Sequence, residues 1–390
     1  YSTEMRTDPM ATLLQVDSED ASFLFSEKLE NPAHLSLICL YDQSPLKGDV
    51  VRFQNLQQLI SNRLQTSPVL KQRLKRVLAD LDYPYWVDDE GFDIDYHVRH
   101  LALPQPGDWR QFCIQVARLH ARSVDTRRPL WELYVIEGLN ALPDLPEGSF
   151  ALYFKVHHCA MDQFTAMEFL GSIHEHQSNP SQHEENLPRV RHIPVRAPSH
   201  AEVLVNGAVS NSFKLVSLAL PPWRQYRRLG SYVRVRRLRL ADDDERASKG
   251  PHFGLSSCSA RVFDGISVPL PFLDKLSEAI PGSSLNHCLT LICGEATSRY
   301  LQRQDLGYTQ RITARIYLAT GTAGAHGLAG NAHALSEVDT YCGIENLLER
   351  LTAISSTVSD HHKDELEDRS RALRARYEDL PALFNHLLSQ

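Results

Sequence analysis

The sequence has no CxxC pair, no HExxH pair and no GxSxG elbow. The first absence removes a thioredoxin-like redox site and the commonest zinc ribbons. The second removes a zincin-type metal centre, and the third a serine hydrolase built on the nucleophile elbow. No stretch fits GxGxxG or a P-loop, so there is no ready-made glycine cradle for nucleotide phosphates. No apolar run reaches the roughly 18 residues that span a membrane, so any membrane contact has to be peripheral. Positive charge is not in excess: 41 Lys and Arg stand against 48 Asp and Glu, a formal net charge of -7. That balance argues against a dedicated nucleic-acid binder. Seven cysteines are scattered, an odd number with no framework spacing. They read as small buried hydrophobes in a reducing, cytoplasmic setting.

What remains is ordinary globular composition, 42% hydrophobic and 23% charged over 390 residues, enough chain for about two domains. The start, Tyr1 to Asp8, is polar, and no signal-peptide pattern follows it. "LSLICLY" (35–41), "PLWELYVIEGL" (129–139) and "SFALYFKVHH" (149–158) read as strands, the last two joined by a Pro/Gly-rich hairpin-like loop. Helical spacing marks residues 50–64, 111–124 and the stretch after Asp162. The polar, proline-bearing run 177–200 is the linker candidate, which divides the chain into 1–178, a linker 179–200, and 201–390. In the second part, residues 201–220 read as helix, "ARVFDGISVPL" (260–270) as strand, and "LNHCLTLICGEATSRYL" (285–301) as helix. "RITARIYLAT" (311–320) reads as strand, and a long helix is expected from about Ile344. The pattern is α/β in two parts.

The chemistry concentrates in "FKVHHCAMDQFTAM" (154–167). Side chains alternate along the strand that feeds it. Phe150, Leu152, Phe154 and Val156 share one face; Ala151, Tyr153, Lys155 and His157 share the other. If the strand runs to its end, His158 joins the Phe150 face, so the two histidines have different jobs. Asp162 can return to the histidines or cap a helix. A His-His pair alone is more often structural than catalytic. Its position at the end of an apolar strand before a helix is where α/β proteins place functional groups. Cys159 is a conceivable nucleophile, but a small packed residue is the better reading.

"HHCAMDQ" resembles the HHxxxDG motif of the CoA-dependent acyltransferase superfamily, which includes chloramphenicol acetyltransferase and peptide-synthetase condensation domains. "PLWELYVIEGL" resembles the PLW segment of the bacterial wax ester synthase / diacylglycerol acyltransferase family. "DSEDASFLFSEKLENPAHLSLICLY" resembles that family's opening, "LNHCLTLICGEATSRYL" its helix beginning with Asn-Asp, and "LAGNAHAL" its Gly-Asn segment. The resemblance implies a two-domain chloramphenicol-acetyltransferase-like fold with an active-site channel between the domains. It implies transfer of a long-chain acyl group from acyl-CoA to a fatty alcohol or diacylglycerol, with acyl-CoA as substrate and no cofactor or metal. His158 would be the general base, His157 a supporting group, and Asp162 the residue that holds the loop. Gln163, Asn286, Gly330, Asn331, Pro129, Leu130 and Trp131 fall at substrate-binding positions.

There are departures. Gln163 replaces the motif glycine, which costs about 1 kcal/mol if φ is positive there. His287 replaces the aspartate of the Asn-Asp pair. The strand at 311–320 lacks the family's Pro-x-Ser-x-Arg pattern. A strand-rich segment that the family carries after the position of "LFNHLLSQ" is not in this chain. Two alternatives therefore stand beside the main reading: a weakened relative that binds acyl-CoA or lipid, and a same-fold acyltransferase with another acceptor.

Among other segments, "GTAGAHGLAGN" (321–331) reads as a loop near the site mouth, and the histidine-rich runs 174–185 and 361–368 as solvated. "WRQYRRLGSYVRVRRLRL" (Trp223 to Leu240) interleaves seven arginines with aromatic and aliphatic residues. It reads either as a packed crossover segment or as a peripheral contact with the inner membrane or lipid inclusions.

Overall fold

In the computed structural model the described residues are 13–44, 51–77, 82–142, 144–174, 259–304, 312–319 and 333–357, with isolated positions between 198 and 209. In chain order the elements are β1 (Leu14–Gln15), α1 (Ser18–Ser26), β2 (His34–Tyr41), α2 (Phe53–Arg63), β3 (Gln72–Lys75), β4 (Tyr85–Asp88), α3 (Ile94–His97), β5 (Val98–Ala102), α4 (Trp109–His120), β6 (Trp131–Leu139), β7 (Ser149–His157) and α5 (Gln163–Ile173). The second half adds α6 (Leu270–Glu278), α7 (Leu285–Arg303), β8 (Thr313–Ala319), β9 (His333–Asp339) and α8 (Leu347–Thr357).

The site is carried by a four-stranded sheet in the order β2-β7-β6-β5. β7 runs antiparallel to both neighbours, and β5 runs parallel to β6. All nine residues of β7 are buried, as expected for a central strand covered on both faces. The predicted alternation holds. Phe150, Leu152, Phe154 and Val156 enter one core with Leu133, Val135, Phe169 and Leu170. Ala151 and Tyr153 enter a second core with Phe112, Val116 and Leu119 of α4. Helix α4 presents those three residues at the i, i+4, i+7 spacing of one face. It begins with a reciprocal capping box between Asp108 and Gln111, which satisfies two end donors at once.

In the second half, α6, α7, α8 and β9 share a smaller core of Leu273, Cys288, Leu291, Val338, Leu351 and Ile354. At Gly294 of α7 a Cβ would stand 2.7 Å from the Cβ of Thr340, just past β9, and 2.9 Å from Nη2 of Arg350 in α8. Beside it, buried Arg350 bonds Glu295 at 2.8 Å and the Thr340 carbonyl at 2.6 Å.

The expected strand at 260–270 is corrected. Residues 260–269 have no regular structure, and α6 starts at Leu270. The alternation buries no face, since Val262 is 99% and Ile266 86% exposed. Side chains rather than a strand ladder hold the segment to α4. Trp109 Nε1 donates to Asp264 at 2.7 Å, and Phe263 packs on Trp109. Nearly all of the linker 179–200, and most of the helix expected at 201–220, lie outside the described residues. Among the described residues no helix is long and apolar enough to cross a membrane.

Candidate active site

β7 ends at His157, one residue earlier than the sequence suggests, and His158 falls in a turn. Its backbone N–H donates to the Ala33 carbonyl at 3.0 Å. Its ring stacks on Phe23 of α1, with centroids 5.0 Å apart. The residue is half-buried.

His157 is fully buried. Its N–H donates to the Leu130 carbonyl at 2.9 Å. Its Nδ1 accepts the Cys159 N–H at 3.0 Å, so the ring proton sits on Nε2. That nitrogen faces Glu27 Oε2 at 3.5 Å. Burial tends to raise the Glu27 carboxyl, but His157 and the Ala33 N–H outweigh it and hold it below the usual carboxylate range.

Asp162 is fully buried and caps α5, accepting the Thr165 N–H at 2.8 Å. Gln163 is the first residue of that helix. Among the described residues the only positive φ outside glycine is at Tyr341. The strain anticipated at Gln163 is therefore absent: the helix start places it at ordinary negative φ. Cys159 is buried, and burial together with Asp20 pushes its thiol well up. It stays protonated, which makes it a poor nucleophile.

Of the PLW segment, Leu130 and Trp131 are core side chains. Trp131 stacks on His97 at 4.7 Å and donates from Nε1 to the Leu70 carbonyl at 2.7 Å. Their link to the site is the Leu130 carbonyl that receives the His157 N–H. The structure thus brings His157, His158, Asp162, Gln163 and the PLW segment together. Asn286 is exposed in the first turn of α7, and its side chain makes no hydrogen bond among the described residues. His287, at the position of the lost aspartate, caps the same helix: its Nδ1 accepts the Ser284 N–H at 3.1 Å. Gly330, Asn331 and the Trp223–Leu240 segment lie outside the described residues.

A polar network on the His157 face was not read from the sequence. Lys155 is fully buried, bonded to Glu132 at 3.0 Å and to the carbonyls of Leu119 and Arg122 at 3.1 and 3.0 Å. It thus meets the C-terminal end of α4, where a cation is favoured. His34 lies opposite His157 in the β2–β7 register. Its Nε2–H donates to the His120 carbonyl at 2.9 Å. Burial, then His120 and Lys155, push it down to about 3, so it is neutral. Ser36, Tyr153 and His120 close a hydrogen-bonded triangle with sides of 2.7, 3.0 and 3.2 Å. One signal was available: a lysine and a glutamate each interrupt an apolar strand. Glu27 gave none, because it lies in a loop. A groove of about 520 Å³ between α4 and residues 260–264 is lined by none of the predicted site residues.

The fold is the one shared with acyltransferases and condensation domains. The solved wax ester synthase/diacylglycerol acyltransferase from Marinobacter aquaeolei VT8 superposes with a TM-score of 0.54 at 24% identity, over 92% of this chain and 72% of that one. The first condensation domain of the calcium-dependent antibiotic synthetase gives 0.54 at 12% identity, over 94% of this chain and 76% of that one. Residues 16–271 match the wax ester synthase/diacylglycerol acyltransferase catalytic domain, and the chain belongs to that family. A probable diacylglycerol O-acyltransferase of Mycobacterium tuberculosis H37Rv is 32% identical over 191 residues, 49% of this chain and 66% of the relative. A putative one from the same strain is 29% identical over 299 residues, 74% of this chain and 55% of the relative. The chain thus spans 55% to 66% of the length of these two relatives.

Proposed function

We propose that the protein is an acyl-CoA-dependent O-acyltransferase that moves a long-chain acyl group to a fatty alcohol or diacylglycerol. His158 is the general base. The observation that carries this reading is the contrast between adjacent histidines. His157 is sealed, with Nδ1 bonded to the Cys159 N–H and Nε2 buried 3.5 Å from Glu27, whereas His158 sits at the turn with part of its surface open. Nδ1 of His158 is buried, so a proton exchanged with substrate passes through Nε2.

In the reaction His158 takes the hydroxyl proton of the acceptor. The oxygen attacks the thioester carbonyl, and the tetrahedral intermediate expels the thiolate of CoA. The imidazolium then returns the proton to sulfur. A thioester is already activated, so the step requires neither an acyl-enzyme nor a metal. General-base assistance contributes about 10² to 10⁴ in rate. Asp162 anchors α5 and the turn. Support for Gln163, Asn286, Gly330 and Asn331 as substrate contacts is the family resemblance of their segments. The arginine and aromatic content of Trp223–Leu240 supports contact with a lipid surface.

The test is CoA release from palmitoyl-CoA with hexadecanol and, separately, with dioleoylglycerol. Acceptor-dependent release is expected with at least one of them. Tight palmitoyl-CoA binding without release on either, but with release on a long-chain amine, would move the reading to another acceptor. Binding with no release at all would make the protein an acyl-CoA binder.

A further inference from the structure

Glu27 closes a ring of contacts around the backbone of His158. Its Oε1 accepts the Ala33 N–H at 3.3 Å. The Ala33 carbonyl accepts the His158 N–H at 3.0 Å. One residue back, His157 Nε2 faces Glu27 Oε2 at 3.5 Å. One residue forward, the Cys159 N–H donates to His157 Nδ1 at 3.0 Å. A single carboxylate therefore fixes the loop that holds His158 from one side and the ring that holds the turn from the other. Its two oxygens have separate tasks. Glu27 is the C-cap residue of α1, the helix whose Phe23 lies against the His158 ring. The same residue thus also ends the element that sets the plane of that ring.

We propose that Glu27 is a positioning residue for His158, acting through His157 and Ala33 and not on substrate. The assignment rests on the reading of His158 as the base. It makes the first histidine of the pair a relay of position: its tautomer is set by a carboxylate from a different element, and that tautomer holds the turn. Glutamine at position 27 can keep one oxygen on Ala33, but it turns an NH₂ towards the His157 Nε2–H. Either the contact opens, or the ring proton moves to Nδ1 and loses the Cys159 N–H.

The test compares wild type, Glu27→Gln, Glu27→Ala and His158→Ala in palmitoyl-CoA transfer. Glu27→Gln, nearly isosteric, is expected to lower kcat by about tenfold with KM within about twofold, the mark of misplacement rather than lost binding. Glu27→Ala is expected to lower kcat further. Wild-type kcat in Glu27→Gln and Glu27→Ala, with His158→Ala inactive, would overturn the assignment and leave the base in place. Activity retained in His158→Ala would instead remove the base itself. Imidazole nitrogen NMR reads the same point without turnover. His157 should carry its proton on Nε2 in wild type, and the signals of both His157 and His158 should shift in Glu27→Gln. An unmoved His158 would contradict the relay.

Discussion

The two faces of β7 are built from alternate residues of one strand and do different work. On one face Phe150, Leu152, Phe154 and Val156 pack into a core of aliphatic and aromatic side chains. On the other, Tyr153, Lys155 and His157 each meet a named polar partner: Ser36, Glu132 and Glu27. The first face is held by burial of apolar area, which is non-directional. The second is held by directed bonds in a dry environment, where an unmet group is costly. Position at the site is set by the second face, because the turn carrying His158 begins where that network ends. A sheet stiffened by its apolar side thus presents a polar side whose geometry is specified bond by bond.

The comparison breaks hardest at Phe154. Phe154→Ala is expected to cost about 3–5 kcal/mol in urea denaturation, with activity per folded molecule little changed. On the polar face, Lys155→Met leaves the Glu132 carboxylate buried without its nearest cation. Arg99 at 3.8 Å compensates in part, and a loss of about 3 kcal/mol is expected. Adding Glu132→Leu should recover much of it. Two losses that simply add would show that the pair is not a unit.

Acid should separate the faces further. Neutral His34 has a folded pKa of about 3 against an ordinary 6.5, so the unfolded chain binds the extra proton. Its contribution is complete above about pH 6.5 and is lost as pH falls towards 3. Burial lowers His97 and His120 in the same direction. Between pH 7 and pH 5, His34 alone should cost about 2 kcal/mol, a slope that His34→Gln removes from the denaturation midpoints. The smallest effect is at the cap. Asp162→Ala should lose about 1 kcal/mol and Asp162→Asn almost nothing, because asparagine also caps. A large loss of turnover in Asp162→Asn would instead make the carboxylate a participant in proton transfer.

Much of this was legible in the chain. The alternation in 149–157 gave both faces of β7, and helical spacing gave α2, α4 and α7, because these patterns are local and periodic. The end of β7 was missed by one residue. What ends it is a local turn: the Ala160 and Met161 N–H groups both donate to the His157 carbonyl, at 2.9 and 3.3 Å, while the His158 N–H still bonds Ala33 in the β2–β7 register. Residues 260–270 alternate like a strand but find no strand to pair with among the described residues, and periodicity alone cannot register a missing partner. Glu27 and His34 were invisible for the same reason: His34 bonds His120 across 86 residues of sequence, and Glu27 meets His157 from another element as far removed. The concern over Gln163 came from a motif glycine. The local backbone, already helical there, removes its conformational basis.

The most direct test measures palmitoyl-CoA affinity and turnover side by side in His158→Ala. The account predicts affinity within about threefold of wild type and turnover lower by about 10² or more. Turnover that persists at the wild-type level, with affinity unchanged, would contradict it and place the base elsewhere.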